Sequence, residues 1–170
     1  MPTVLAFDTS GAWCAAALVR DGAAPLTRAE SMERGQGGPF GAVIVRDGQI
    51  LAEATNRVTV SNDPTAHAEI EAIRGAARSL SDFRLHGCTL YASCEPCPMC
   101  LSAASWARVD RIVFGAGRAE AAKAGFDDAF LYEEMARPLS DRSLPITSLP
   151  SAEASAVLAD WVRLPAKIPY

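Results

Sequence analysis

From residue 37 onward, short apolar runs alternate with segments whose apolar positions have helical spacing. Gly41–Arg46 and Gln49–Thr55 read as two strands joined at Asp47-Gly48, a dipeptide that suits a tight hairpin turn. The stretch from Pro64 to about Leu80 reads as a helix with Ile70, Ile73 and Ala77 on one face. Cys88–Ser93 then reads as a strand, Cys97–Ala107 as a helix and Arg111–Ala116 as a further strand. Ser151–Leu164 reads as a terminal helix, with Ala154, Val157, Leu158 and Trp161 as its apolar stripe. Strands alternating with helices imply an α/β fold with a parallel or mixed sheet covered on both faces. The chain carries no repeat and no low-complexity segment.

Residues 1–36 follow another pattern. Thr3–Phe7 reads as a strand, Asp8-Thr9-Ser10-Gly11 as a turn, and Cys14–Arg20 as a second apolar run closed by Asp21-Gly22. Leu26–Arg34 has the spacing of a short helix before Gly35-Gln36-Gly37-Gly38. The octet Val4-Leu5-Ala6-Phe7-Asp8-Thr9-Ser10-Gly11 resembles the opening hairpin of an actin-like ATPase fold. In particular it resembles the start of the bacterial subunit that assists tRNA threonylcarbamoyladenosine synthesis. Nothing after residue 36 continues that fold, so the rest of a phosphate site is missing. Residues 1–36 are therefore expected to be an unrelated lead-in, the mark of a fusion.

At 170 residues the chain is long enough for one domain with a real core. No apolar run approaches membrane-spanning length. The N-terminus lacks a basic leader and Asp8 interrupts its apolar stretch, which argues against a signal peptide. Five cysteines, three of them clustered, suit a reducing compartment and metal chemistry better than a disulfide framework. The expected location is cytoplasmic. A formal net charge of −4 argues against a protein that grips a long polyanion such as nucleic acid.

The chemistry concentrates in two stretches, Pro64-Thr65-Ala66-His67-Ala68-Glu69 and Cys94-Glu95-Pro96-Cys97-Pro98-Met99-Cys100. Read together they are His-x-Glu followed by Pro-Cys-x-x-Cys, the spacing of zinc nucleobase deaminases. His67, Cys97 and Cys100 make three protein ligands and leave a fourth tetrahedral position for water, as a catalytic rather than a structural zinc site requires. Cys97 and Cys100 are three apart, so a helix places both sulfurs on one face. Pro96 and Pro98 are tolerated there if the pair opens a helix, where the dipole also favours thiolate. Glu69 is then free to move protons between the metal-bound water and a substrate. A lone Cys-x-x-Cys is elsewhere often a redox pair or half a zinc finger. Here no second half follows, and a His-x-Glu precedes it. Cys94 competes weakly as a ligand, Cys88 and Cys14 suit buried apolar positions, and His86 beside Gly87 suits the surface.

Four segments carry a wider resemblance: Gly37-Gly38-Pro39-Phe40-Gly41-Ala42-Val43-Ile44-Val45, Ser61 to Glu69, Ser93 to Cys100, and Ala124-Gly125-Phe126-Asp127-Asp128-Ala129-Phe130. From residue 37 to 170 the chain resembles the cytidine-deaminase-like superfamily, and within it the bacterial guanine deaminases. The resemblance implies a three-layer α/β/α sandwich with a mixed sheet and a zinc deaminase domain over 37–170. It implies Zn2+ on His67, Cys97 and Cys100, with Glu69 as proton shuttle. For the substrate it implies Asn56, Phe40, Ala68, Asp128 and the terminal Tyr170, and Trp106 joins them from its place at the end of the metal helix. Most of these have plainer readings: Asn56 as a turn residue, Phe40 and Trp106 as core, Asp127 and Asp128 as a helix cap. The implied reaction is hydrolytic deamination of a free base with a 2-amino-4-oxo pattern, guanine or a mimic such as isocytosine. Cytosine, ammeline and tRNA adenosine are alternative substrates. A homodimer that exchanges its C-terminal tails is the implied assembly.

Overall fold

The computed structural model describes residues 37–169 and the backbone of three strands before them. The chain divides into two compact units, Met1–Asp128 and Ala129–Tyr170.

In the first unit, β1 (Thr3–Asp8) and β2 (Ala15–Arg20) pair antiparallel, as the sequence pattern predicts. β3 (Leu26–Arg28) pairs with the other edge of β2, where a helix over Leu26–Arg34 was expected. The free edge of β2 offers hydrogen bonds that a short isolated helix cannot match, so tertiary pairing overrides local spacing. Residues 29–34 lie outside the described residues.

The main sheet holds four strands in the order β5-β4-β6-β7. β4 (Gly41–Arg46) and β5 (Gln49–Thr55) form the expected hairpin, with Asp47 and Gly48 at φ 52° and 75°. Both central residues take positive φ, which Asp-Gly tolerates and most pairs do not. β6 (Cys88–Cys94) runs antiparallel to β4, and β7 (Arg111–Ala116) parallel to β6. The sheet is therefore mixed. The parallel pair needs a crossover, and α3 (Pro98–Trp106) supplies it.

α2 (Ala68–Leu80) packs on β4 and β5 through Ala68, Ala72 and Ala76, which repeat every fourth residue and are buried. Small side chains let the helix sit close: a Cβ on Gly75 would lie 3.0 Å from that of Ala52. The core on this face joins those alanines to Ile44, Leu85, Leu90 and Ala104. Each fully buried Ile or Leu there contributes about 1.5–3 kcal/mol. The opposite face of β4 buries Val43 and Val45 with Ile50 and Tyr91. β2 also lies near β4.

α1 (Val58–Ser61) and α4 (Arg118–Lys123) are short helices that the apolar pattern does not predict. The second unit contains α5 (Ala129–Ala136), a 3-10 turn at Leu139–Asp141, and α6 (Ala152–Arg163). Glu134 ties this unit together by accepting from the Ser143 amide at 2.7 Å and pairing with Arg137. α6 is capped by Ser151, whose hydroxyl accepts from the Ala154 amide at 3.1 Å. Its predicted stripe exists but is not buried: Val157 and Leu158 are exposed and Trp161 is partly so. Among the described residues, no helix is long and apolar enough to cross a membrane.

Candidate metal centre and cavity

His67 and Cys97 occupy equivalent positions, each the last extended residue before a helix. The helix expected from Pro64 starts only at Ala68. Asp63 explains the delay: its Oδ1 accepts from the Thr65 amide at 2.8 Å and hydroxyl at 2.7 Å, holding the chain in a turn. His67 then enters α2 at ψ 154°, and its carbonyl accepts from Glu71. On α3, Pro98 takes the first helical position, where a missing amide hydrogen costs nothing. Cys97 caps that helix and Cys100 lies one turn in. Both half-sites thus sit at helix starts, and the Cys97 half lies beyond the carboxyl end of β6, a usual place for a site in an open α/β sheet.

His67 Nδ1 lies 3.7 Å from Cys97 Sγ and 3.5 Å from Cys100 Sγ. All three ligand atoms fall within 4.8 Å of one another. Around tetrahedral zinc, bonds of about 2.3 Å to sulfur and about 2.0–2.1 Å to nitrogen put N and S about 3.6 Å apart. The residues fit that ion in donor type and spacing. Cys94 is not in the cluster; it is buried, with its sulfur 4.0 Å from the Gly117 carbonyl.

The three ligands perturb one another strongly. Hydrogen bonding to Cys100 and to His67 lowers the Cys97 thiol to about 4, despite burial. Cys100 moves the opposite way, because its hydrogen bond to Cys97 and its burial both favour the thiol. The hydrogen bond to Cys97 raises His67. Glu69 is 7% exposed, and burial pushes its carboxyl up. A thiolate, an imidazole and a buried carboxyl thus converge on one point.

That point opens into a cavity of about 510 Å³, lined by His67, Glu69 and Cys97 together with Phe40, Asn56 and Asp128. Asn56 is buried, and its Oδ1 accepts from the amides of Val58 at 3.2 Å and Gly38 at 3.4 Å. With the oxygen committed, Nδ2 is the half of the amide left to donate. Phe40 meets Phe126 edge to face, with ring centroids 4.8 Å apart. Burial raises Asp128, and the nearby Cys97 charge adds to the shift.

Two predicted substrate contacts stand elsewhere. Trp106, at the end of α3, is 62% exposed and does not line the cavity; its ring carries the Arg108 guanidinium at 5.8 Å. The end of α3 is far from its first turn, which holds the ligands, so sharing a helix did not place Trp106 at the site. Ala68 is fully buried in the core and also does not line the cavity. Tyr170 and Cys14 lie outside the described residues. His86 is on the surface, 3.9 Å from Asp110, and Cys88 is buried, both as expected.

Sequence reasoning missed Phe126, Glu95 and Arg118 as cavity residues. Phe126 stands beside Asp127 in a quoted motif, which was a usable signal. Glu95 and Arg118 are brought together by the β6–β7 pairing, which the sequence does not display.

A family model, cytidine and deoxycytidylate deaminase zinc-binding region, matches residues 22–116, more than half of the chain. The chain belongs to that deaminase family. The zinc-binding character of the family accords with the spacing of His67, Cys97 and Cys100. The family match begins at residue 22, within the segment that reads as a lead-in. Guanine deaminase of Bacillus subtilis is 48% identical over 141 residues, covering 83% of this deaminase and 90% of its own length. The crystal structure of that protein superposes with a TM-score of 0.79, at 48% identity over 82% of this chain and 88% of that one. A tRNA-specific adenosine deaminase of Agrobacterium fabrum is 50% identical over 78 residues, 46% of this chain and 51% of that protein. This deaminase therefore shares 83% of its length with the first and 46% with the second.

Proposed function

We propose that this deaminase removes the exocyclic amine of free guanine, or of a monocycle with the same 2-amino-4-oxo edge such as isocytosine. The observation that carries the proposal is one cavity lined by His67 and Cys97 of the metal cluster, the buried Glu69, and the polar pair Asn56 and Asp128. Zinc, when bound, supplies a Lewis acid and eases deprotonation of water. Glu69 carries protons at its carboxylate oxygens, first to a ring nitrogen and then to the departing ammonia. Burial raises its affinity for the proton, which suits a group that must hold one between steps. Asn56 Nδ2 donates to an acceptor on the base edge, while Asp128 accepts from a ring N–H. A carboxylate in that place rejects rings lacking the N–H by a large factor. Phe40 and Phe126 give the ring an apolar wall. Water adds across the ring C=N bond at the amine-bearing carbon, the exocyclic C–N bond breaks to release ammonia, and the oxygen stays on the ring as a carbonyl.

Ammonia release from guanine, isocytosine, ammeline and cytosine tests the assignment. Turnover is expected with the first or second, and no turnover of any defeats it. A Glu69→Ala variant that keeps zinc and normal turnover defeats the proton role.

The segment shared with tRNA adenosine deaminase supports a second reading, deamination of adenosine in tRNA. The net charge of −4 and the acidic pair Asp127-Asp128 count against it. Salt-sensitive tRNA binding would favour it. The exposed Val157 and Leu158 on α6 support assembly with a second copy, and sedimentation measures that directly. The lead-in over 1–36 is proposed to be dispensable for the chemistry, and deleting it tests this through turnover and zinc content.

A further inference from the structure

We infer that Glu95 is a positioning residue, a strut that sets the base-recognition segment against the metal ligands; this rests on the deaminase function above. Glu95 lies two residues before Cys97, in the loop that leaves β6. It grips the neighbouring chain twice. Its amide donates to the Ala116 carbonyl at 2.8 Å, which extends the parallel β6–β7 pairing by one bond. Its carboxylate Oε2 accepts from the Arg118 amide at 3.1 Å.

Arg118 is the first residue of α4, and its amide is one of those that a helix start leaves without an internal partner. The neighbouring Gly117 amide is taken by Glu120 of the same helix at 2.8 Å. The two bonds differ in what they join. Glu120 ties α4 to itself, whereas Glu95 ties α4 to the chain that carries Cys97. From Arg118 the backbone runs on to Phe126 and Asp128, which line the cavity with Arg118 itself. The separation between the metal ligands and these base-facing groups therefore passes through Glu95. A carboxylate also suits the positive end of the helix. A segment released from this strut still faces the base but holds it less well, while the ligands and Glu69 keep their places.

The test is Glu95→Ala beside Glu95→Gln, whose side-chain carbonyl can still accept the Arg118 amide. In Glu95→Ala the loss of one such bond should raise KM for guanine about five- to tenfold, with kcat near wild type and one zinc per chain. Amide exchange at Arg118 should quicken. Glu95→Gln should restore both KM and exchange. Unchanged KM and exchange in Glu95→Ala, failure of Glu95→Gln to restore them, or loss of zinc in Glu95→Ala would each overturn the strut. Should Glu95→Ala not fold, Arg118→Pro deletes the donor instead. Proline is tolerated at a first helical position, and Gly117 has the extended backbone that must precede it (φ −86°, ψ 163°). Measured against Arg118→Ala, it should reproduce the rise in KM, and equality of the two variants overturns the inference. Amide exchange needs no substrate. Wild-type protein inert toward both guanine and isocytosine would thus refute the proposed substrate, and exchange alone would then decide on Glu95.

Discussion

Asn56 can be asked two questions separately, because the two ends of its amide do different work. Oδ1 accepts from the amides of Val58 and Gly38 at 3.2 Å and 3.4 Å, inside a residue that is 8% exposed. Both bonds are long, so each contributes at the lower end of the usual range, about 0.5–1 kcal/mol. Asn56→Ala removes both acceptors and should cost about 1–2 kcal/mol of stability. At about 2–4 °C per kcal/mol for a chain of this size, the melting temperature should fall by about 2–8 °C. Asn56→Asp keeps an oxygen where both amides need it but replaces the Nδ2 donor with a second acceptor. Because the position is 8% exposed, the new carboxyl also costs about 1–3 kcal/mol, so the melting temperature of this variant should fall as well. Its KM for guanine should rise at least about tenfold, the effect of losing about 1.4 kcal/mol of substrate hydrogen bonding. Thermal melts and steady-state ammonia release read the two quantities independently. Asn56→Asp with wild-type KM, or Asn56→Ala with wild-type melting, would refute this division of the amide.

Three further outcomes are expected. Elemental analysis should find one zinc per chain in wild type and none in Cys97→Ala or Cys100→Ala, and chelation of wild type should lower its melting temperature and abolish turnover. Gly37→Ala should destabilise by at least about 2 kcal/mol in urea titrations, because Gly37 sits at φ +117° and a Cβ there would lie 1.9 Å from the Asn56 carbonyl oxygen. Asp63 is held below the usual carboxylate range chiefly by the Thr65 hydroxyl, so its folded state favours the charged form. Its stabilising effect is thus present above the unfolded carboxylate value and is lost as pH falls through the lower folded one. The gap in melting temperature between wild type and Asp63→Ala should accordingly be full near neutrality and close in acid.

Local chemistry alone specified a good part of this protein. Asp47-Gly48 tolerates the two positive φ angles of its turn, and the hairpin Gly41–Arg46 with Gln49–Thr55 followed from that pair and its flanking apolar runs. Pro98 after Cys97 could open a helix but not continue one, so the cysteine pair had to sit at a helix start. His67, Cys97 and Cys100 were legible because a metal demands particular donors at particular spacings, and few other arrangements use them. Other features depended on contacts between distant segments. Leu26–Arg28 became a strand because the edge of β2 was there to pair with. Trp106 shares a helix with the cysteines yet does not line their cavity, since helix length separated it from them. Glu95 and Arg118 met because β6 and β7 run parallel side by side, and no pattern along a single chain records which strand ends will be neighbours.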